Sequence, residues 1–364
     1  MHKEKLYIRQ TTLPEIGRSG QEKLLGSSVV VVGCGGLGSA AAVYLAASGV
    51  GHVHLIDYDK IDASNLHRQV FYRVKEVGKS KSGTLAGYIR EMSPFAKVSY
   101  SETALTKQNI GEALDGYSVI LDCTDSLATK YLLNDYCVLN DKVLVYGSLY
   151  KHDGYVGIFN VKTEQGRSSH LRDAFPEIPK NQVPNCAEVG TLNPIVGIIG
   201  IMQANEVIKL VTGTGELLTD KILIYNSMQN SQYAMRFHPG FPWSKVKSHF
   251  EEHDYFDARC HIQDSSLLIS AQTLKMKLGR ENLALVSVVE NTSHPLPFRV
   301  DLKMPLSKFD PEELKQLADK EIVFVCQRGI KSYTATKKMI EAYPEVKAFS
   351  LIDGTDYFDD GESQ

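Results

Sequence analysis

Through the first 150 residues, short β-branched runs alternate with helical stretches. Ser28 to Val32 carries four successive valines and stops at glycines, the pattern of a strand buried in a parallel sheet. The alanine-rich stretch Ser39 to Ser48 predicts the helix that follows. His52 to Ile56 predicts a second strand ending at Asp57, and Ser80 to Met92 a second helix. A strand near Val98, one over Ser118 to Asp122, a helix over Ser126 to Leu139 and a strand over Lys142 to Tyr146 continue the alternation. Strands alternating with helices in this way predict an open, doubly wound α/β sheet.

After Gly154 the texture changes to strand-like pieces. A polar, proline-bearing stretch from about Gln165 to Asn193 follows, too long for an ordinary connection. Pro194 to Val211 is the longest apolar-rich stretch, but Asn205, Glu206 and Lys209 would be costly in a bilayer, so it reads as a buried core helix. Ile222 to Tyr225 and Tyr233 to Phe237 read as a strand pair, with turn chemistry at His238 to Pro242. The charged run Lys245 to Asp254 reads as a linker into a second α/β unit. There Leu285 to Val289 and Ile322 to Val325 predict strands and Ser332 to Ala342 a helix. The predicted organisation is a large domain over 1–245, a linker over 246–259 and a smaller domain over 260–364.

The length of 364 residues suits two domains. A formal charge of -3 and the lack of an arginine-rich run give no electrostatic case for nucleic acid. Met1 to Lys5 leads into no apolar stretch, so no secretory signal or membrane span is expected. Six scattered cysteines without a Cys-x-x-Cys pair point to a reducing cytoplasm.

Gly33, Gly35 and Gly38, with Gly36 between them, have Gly-x-Gly-x-x-Gly spacing directly after a strand and before a helix. Glycines let backbone approach a phosphate, whose charge the helix N-terminus favours. Asp57 and Asp59 end the second strand, where a ribose hydroxyl would lie. A nicotinamide dehydrogenase would show this much. It would not show Asn65, Arg68 and Gln69 packed just beyond, with Lys79 and Lys81 a short way on. Such cations and amides suit a triphosphate attacked by a carboxylate. Asp125 falls at the sheet's carboxyl edge, where it would hold Mg²⁺.

These residues resemble a known family. Leu-Tyr-Ile-Arg-Gln10, Leu-Pro-Glu-Ile-Gly17, Val-Gly-Cys-Gly-Gly-Leu-Gly38, Asp-Tyr-Asp59, Ser-Asn-Leu-His-Arg-Gln69 and Asn-Cys-Ala-Glu-Val-Gly190 are similar to the MoeB/ThiF adenylyltransferases, bacterial relatives of ubiquitin-activating enzymes. The resemblance covers about residues 5 to 240 and implies a Rossmann-like domain in a homodimer. It puts Asp59 on ribose and Asn65, Arg68 and Lys81 on phosphates, with Gln69 in the same motif. Asp125 would hold Mg²⁺, and Arg9 would reach into the neighbouring subunit's site. Cys186 matches the family's loop cysteine, placed to attack an adenylated C-terminus or to resolve a disulfide. Family members often hold zinc with two Cys-x-x-Cys pairs. Here those positions read His170-Leu-Arg-Asp173 and Phe241-Pro-Trp-Ser244, so no zinc is expected, and His170, Asp173 and His238 read as solvated loop residues.

In the smaller domain, Val325-Cys-Gln-Arg-Gly-Ile-Lys-Ser332 lies between a strand and a helix. Backbone N–H groups and the helix N-terminus would favour a thiolate at Cys326, and Arg328 and Lys331 add positive charge. The segment resembles the Cys-x-x-Gly-x-x-Ser loop of a rhodanese, over about residues 260 to 360, which implies a persulfide on Cys326. Ser350 to Phe358 is similar to that domain's usual ending, with Asp353 replacing a glycine. Ser287-Val288-Val289 stands where rhodaneses usually read Asp-Val-Arg.

Together the resemblances imply an enzyme that uses ATP and Mg²⁺ to adenylate the C-terminal glycine of a ubiquitin-like sulfur-carrier protein ending in Gly-Gly. Sulfur from a persulfide donor such as a cysteine desulfurase would then give a thiocarboxylate. An NAD-dependent oxidoreductase and a non-catalytic module docking a ubiquitin-like protein are the alternatives. Whether the carrier serves molybdopterin, thiamine, or tRNA or protein modification stays open.

Overall fold

The computed structural model describes residues 2–164, 166–177, 190–253, 255, 264–289, 296–327, 329–352, 354, 355 and 358. Cys186, Arg328 and Asp353 lie outside them. By contact the chain divides into two units, Met1–Phe256 and Asp257–Gln364.

In the first unit, β1 (Ser28–Val32), β2 (His52–Ile56), β3 (Lys97–Ser101), β4 (Val119–Asp122) and β5 (Val143–Tyr150) are parallel neighbours. Successive side chains of a strand point to opposite faces. Val29 and Val31 accordingly enter one core, with the helices Gly36–Ala47, Lys81–Met92 and Asn193–Thr212. Val30 and Val32 enter the other, with the helix Leu127–Leu139. Helices on both faces explain why β1 reads as a continuous valine run. β6 (Asp153–Phe159) turns back antiparallel to β5. A short hairpin, β7 (Lys162–Thr163) and β8 (Gly166–Arg167), precedes β9 (Lys221–Asn226) and β10 (Ser231–Arg236), which finish the sheet antiparallel. The order is β10-β9-β6-β5-β4-β1-β2-β3. The chain runs outward from β1 to β3 and then returns to the other side of β1 with β4. That reversal opens a crevice outside the carboxyl ends of β1 and β4, where sheets of this kind bind ligands.

The helix Asn193–Thr212 is, among the described residues, the one long and apolar enough to cross a membrane by length and composition. Here it buries Ile195, Val196, Ile199 and Val207 in the first core, as expected of a core helix.

Two expectations need correction. The run read as a linker folds instead as the helix Trp243–Glu252. Its Val246 is fully buried and Phe250 packs on the second core. The polar segment after Gln165 is not one long loop either. Before residue 178 it contributes β8 and a turn of helix, Leu171–Ala174.

In the second unit, β11 (Leu268–Ile269), β12 (Leu283–Ser287), β13 (Leu302–Lys303), β14 (Glu321–Val325) and β15 (Ala348–Leu351) form a wholly parallel sheet ordered β11-β15-β14-β12-β13. The helix Ile330–Ala342 follows β14. This is the smaller α/β unit expected from the sequence.

Candidate functional site

The glycine turn after β1 is fixed by close backbone contacts. Gly33 has φ +88°, and a Cβ there would lie 2.8 Å from the Cys123 carbonyl oxygen. The turn after β1 therefore abuts the turn after β4. A Cβ on Gly38 would fall 1.7 Å from the Gly33 carbonyl oxygen, so the helix can begin this close only with glycine. Gly35 and Gly36 lie at the start of that helix.

Asp57 faces inward. Its carboxylate accepts from the Cys34 N–H at 2.6 Å and from the Asp59 N–H at 2.7 Å. Burial pushes its carboxyl up to about 6; Lys81 and the two N–H bonds oppose the rise, and Asp59 adds to it. Both Asp57 oxygens are thus occupied, one of them bracing the glycine turn. Asp59 is the open acid of the pair, 46% exposed and 2.9 Å from the Lys81 ammonium, which is itself 6% exposed.

Asn65 and Arg68 lie half-buried on a 3-10 turn and the segment after it, and Arg68 donates to the Ser64 carbonyl. Gln69 is buried and donates to Asn65 Oδ1 at 3.0 Å. Its own Oε1 is buried without a hydrogen-bond partner. Such an acceptor costs about 1–3 kcal/mol unless a ligand or water satisfies it. Gln69 Nε2 would be 3.4 Å from a Cβ on Gly35, so this amide lines the glycine turn.

Across the crevice, Asp122 accepts from Thr124 N–H and Oγ through one oxygen, and its other oxygen lies 3.0 Å from the Lys130 ammonium. Lys130 also donates to the Gly147 carbonyl at 2.6 Å. Burial alone would depress this ammonium, but the Asp122 carboxylate outweighs it and leaves the pKa raised. This buried pair shapes the turn that presents exposed Asp125 just before the helix cap Ser126. One exposed carboxylate beside a phosphate turn fits the habit of Mg²⁺, which takes one or two carboxylates and fills its shell with phosphate oxygens and water. Arg9 lies exposed on the helix Lys3–Thr11.

Sequence reasoning missed Tyr72. Its buried hydroxyl donates to the Cys34 carbonyl at 2.6 Å and lies 3.3 Å from that of Lys81. Nothing but its position three residues past Gln69 could have flagged it.

In the second unit, Cys326 is buried just beyond β14. Its sulfur accepts from the Ser332 N–H at 3.3 Å, in the first turn of the helix Ile330–Ala342, and lies 3.3 Å from Ser332 Oγ. Ser350 Oγ, on β15, is 2.8 Å from Ser332 Oγ. The sulfur thus sits at a helix N-terminus with a pair of hydroxyls behind it, and Ser350 was not anticipated. Ser287 and Val288 are buried, and their carbonyls accept from Met304 and Leu306 N–H groups.

A model of the ThiF family matches residues 7–242. The adenylyltransferase and sulfurtransferase MOCS3 of Drosophila sechellia is 34% identical over 372 residues, spanning 96% of this chain and 81% of its own length. The probable adenylyltransferase/sulfurtransferase MoeZ of Mycobacterium tuberculosis (strain ATCC 25618 / H37Rv) is 39% identical over 226 residues, 62% of this chain and 58% of its own. Among solved structures, E. coli MccB with MccA-N7isoASN superposes with a TM-score of 0.58 at 20% identity, covering 66% of this chain and 73% of that one. E. coli MccB with ATP gives a TM-score of 0.54 at 22% identity, covering 61% and 67%. At these identities the structural likeness speaks for the fold.

Proposed function

The chain belongs to the ThiF family, and from that premise we propose that it adenylates the C-terminal glycine of a small ubiquitin-like sulfur carrier and directs sulfur onto the activated carbon. It is an adenylyltransferase with a sulfurtransferase activity, as its relatives along 96% of its length are named. One observation carries the reading. The glycine turn, the Asp59–Lys81 pair and the Asp125 turn follow β1, β2 and β4 and so gather at the carboxyl edge of the sheet where the strand order reverses.

In this reading ATP lies along that edge. Asp59 holds the ribose, the N–H groups of the glycine turn approach the phosphates, and Asn65, Arg68 and Lys81 balance their charge. Gln69 offers its unpartnered oxygen to the nucleotide's donors. Asp125 holds Mg²⁺, which supplies charge neutralisation when bound. The carrier's carboxylate attacks the α-phosphorus, pyrophosphate leaves, and the acyl-adenylate carries AMP as its leaving group. The terminal sulfur of a Cys326 persulfide then displaces AMP and forms an acyl disulfide. The Cys186 thiolate attacks the Cys326 sulfur, releasing the thiocarboxylate and leaving a Cys186–Cys326 disulfide that a dithiol reduces.

A homodimer that brings Arg9 into the partner's site is supported by exposed apolar side chains on and near its helix, Ile8 and Leu13, and by Val70 and Val74 beside the phosphate residues. Among the described residues Cys34, Cys123, Cys137 and Cys326 are free thiols, which supports a reducing, cytoplasmic setting. A cysteine desulfurase is the donor class that delivers a persulfide. Mass spectrometry of a Gly-Gly-ending carrier, after incubation with the chain, ATP, Mg²⁺ and a persulfide donor, tests the whole sequence. The carrier should exchange one terminal oxygen for sulfur; an unchanged carrier contradicts the reading.

A further inference from the structure

The two segments that hold zinc in Cys-x-x-Cys relatives meet in this chain through a carboxylate. The Asp173 side chain is 1% exposed. Its Oδ1 accepts from the N–H groups of Gly240 and Phe241, each at 2.7 Å, and its Oδ2 from the His170 N–H at 2.8 Å. His170 and the Asp173 side chain are therefore buried, not the solvated loop residues expected, whereas His238 is exposed. The Phe241 ring stands edge-on to the His170 ring.

Beside this contact, Arg172 and Asp135 are fully buried and paired through two bonds of 2.7 Å. A third guanidinium N–H reaches the Pro176 carbonyl at 2.7 Å. The guanidinium lies over the rings of Tyr131 and Phe241. Tyr255 donates its hydroxyl to Asp135 Oδ2 at 2.5 Å. The network fastens the segment around Leu171–Ala174 to the helix Leu127–Leu139 and to the end of the first unit.

These residues do not fit a structural zinc, which takes four thiolates or imidazoles in a tetrahedron. Both Asp173 oxygens already accept N–H groups, and His170 Nδ1 accepts from the Arg172 N–H. Among the described residues no group of three or more His, Cys, Asp or Glu is arranged to hold a metal. We propose that this chain has exchanged the zinc clasp for a metal-free one, in which Asp173 cross-links residues 170–173 to 240–241 and the Arg172–Asp135–Tyr255 network anchors the junction. Each charge depends on its partners, because removing one strands another in the interior. The fold here does not draw on metal-binding free energy, as zinc-clasped domains do.

The test uses the full chain produced in zinc-supplemented medium and then dialysed. Zinc is measured by plasma mass spectrometry, and the thermal midpoint is followed with and without a strong chelator. The proposal expects far less than about one zinc per chain, the stoichiometry of a structural site, and a midpoint that the chelator leaves unchanged. It also expects Asp173→Ala to lower the midpoint by several degrees. About one zinc per chain with a midpoint that falls on chelation overturns it, as does an Asp173→Ala midpoint equal to that of the parent. Should Asp173→Ala fail to fold, Arg172→Lys takes its place. It keeps the charge but loses the paired bonds, so an unchanged midpoint in that variant also overturns the proposal. Metal content and midpoint are independent of catalysis, so either outcome leaves the adenylation reading to its own assay.

Discussion

The Tyr72 hydroxyl donates to the Cys34 carbonyl at 2.6 Å and so ties the glycine turn to the segment that leads into the Lys81 helix. Tyr72→Phe removes this bond and leaves a buried carbonyl without its donor. A bond of this kind is worth about 1 kcal/mol net, roughly a factor of five in an equilibrium constant. The KM for ATP should rise about that much, with kcat less affected. Steady-state kinetics at varied ATP check this; an unchanged KM would mean that the turn holds itself.

Asp125 is exposed, so Asp125→Ala should leave stability within about 0.5 kcal/mol of the parent. Pyrophosphate exchange should nevertheless fall to background, because Mg²⁺ loses its carboxylate. Mixing Arg9→Ala with Asp125→Ala protein should restore part of the activity, since a mixed dimer contains one intact composite site. If Arg9 serves its own subunit, mixing restores nothing.

The raised pKa of Asp57 has a definite sign. Between the usual 3.8 and about 6, the folded chain binds this proton more often than the unfolded chain. Its contribution to stability is therefore full below pH 3.8 and is lost as pH rises through about 6. Asp57→Asn cannot titrate, so the stability of the parent relative to the variant should decline across that window. Urea unfolding of both proteins at several pH values measures the difference. A parent that gains stability relative to the variant as pH rises toward neutral would show the opposite linkage.

Much of the fold was legible because burial on two faces leaves a plain mark, as in the valines of β1. The helix Trp243–Glu252 was hidden by its charges, although Val246 and Phe250, four residues apart, occupy its buried side. Asp57 and Asp59 looked equivalent because residues two apart share one face of an extended strand, but the strand ends at Ile56 and the turn beyond it sends the two carboxylates different ways. The contacts of Asp173 and Tyr72 were illegible for another reason. Their partners are backbone N–H and C=O groups, which every residue carries.

Cys326→Ala should spare adenylation and abolish sulfur transfer from a persulfide donor. Ser350→Ala should slow transfer by less, since its hydroxyl reaches the sulfur only through Ser332. Under brief alkylation near neutral pH, Cys326 should label before Cys34, Cys123 and Cys137, whose thiols burial pushes up. Mass spectrometry of the labelled peptides gives the order. If Cys326 labels last, it is not the reactive thiol and the second unit is not the sulfur relay.

In the proposed function, the carboxyl edge of the sheet at the β1/β4 reversal activates a protein's C-terminal carboxylate with ATP. Carrier-dependent exchange of radiolabelled pyrophosphate into ATP measures that step alone, before any sulfur chemistry. Exchange is expected with a Gly-Gly-ending ubiquitin-like carrier. Exchange should vanish when the terminal glycine is removed, and NAD should neither bind nor substitute. Exchange that proceeds equally without the carrier, or no exchange with any such carrier, would contradict that function.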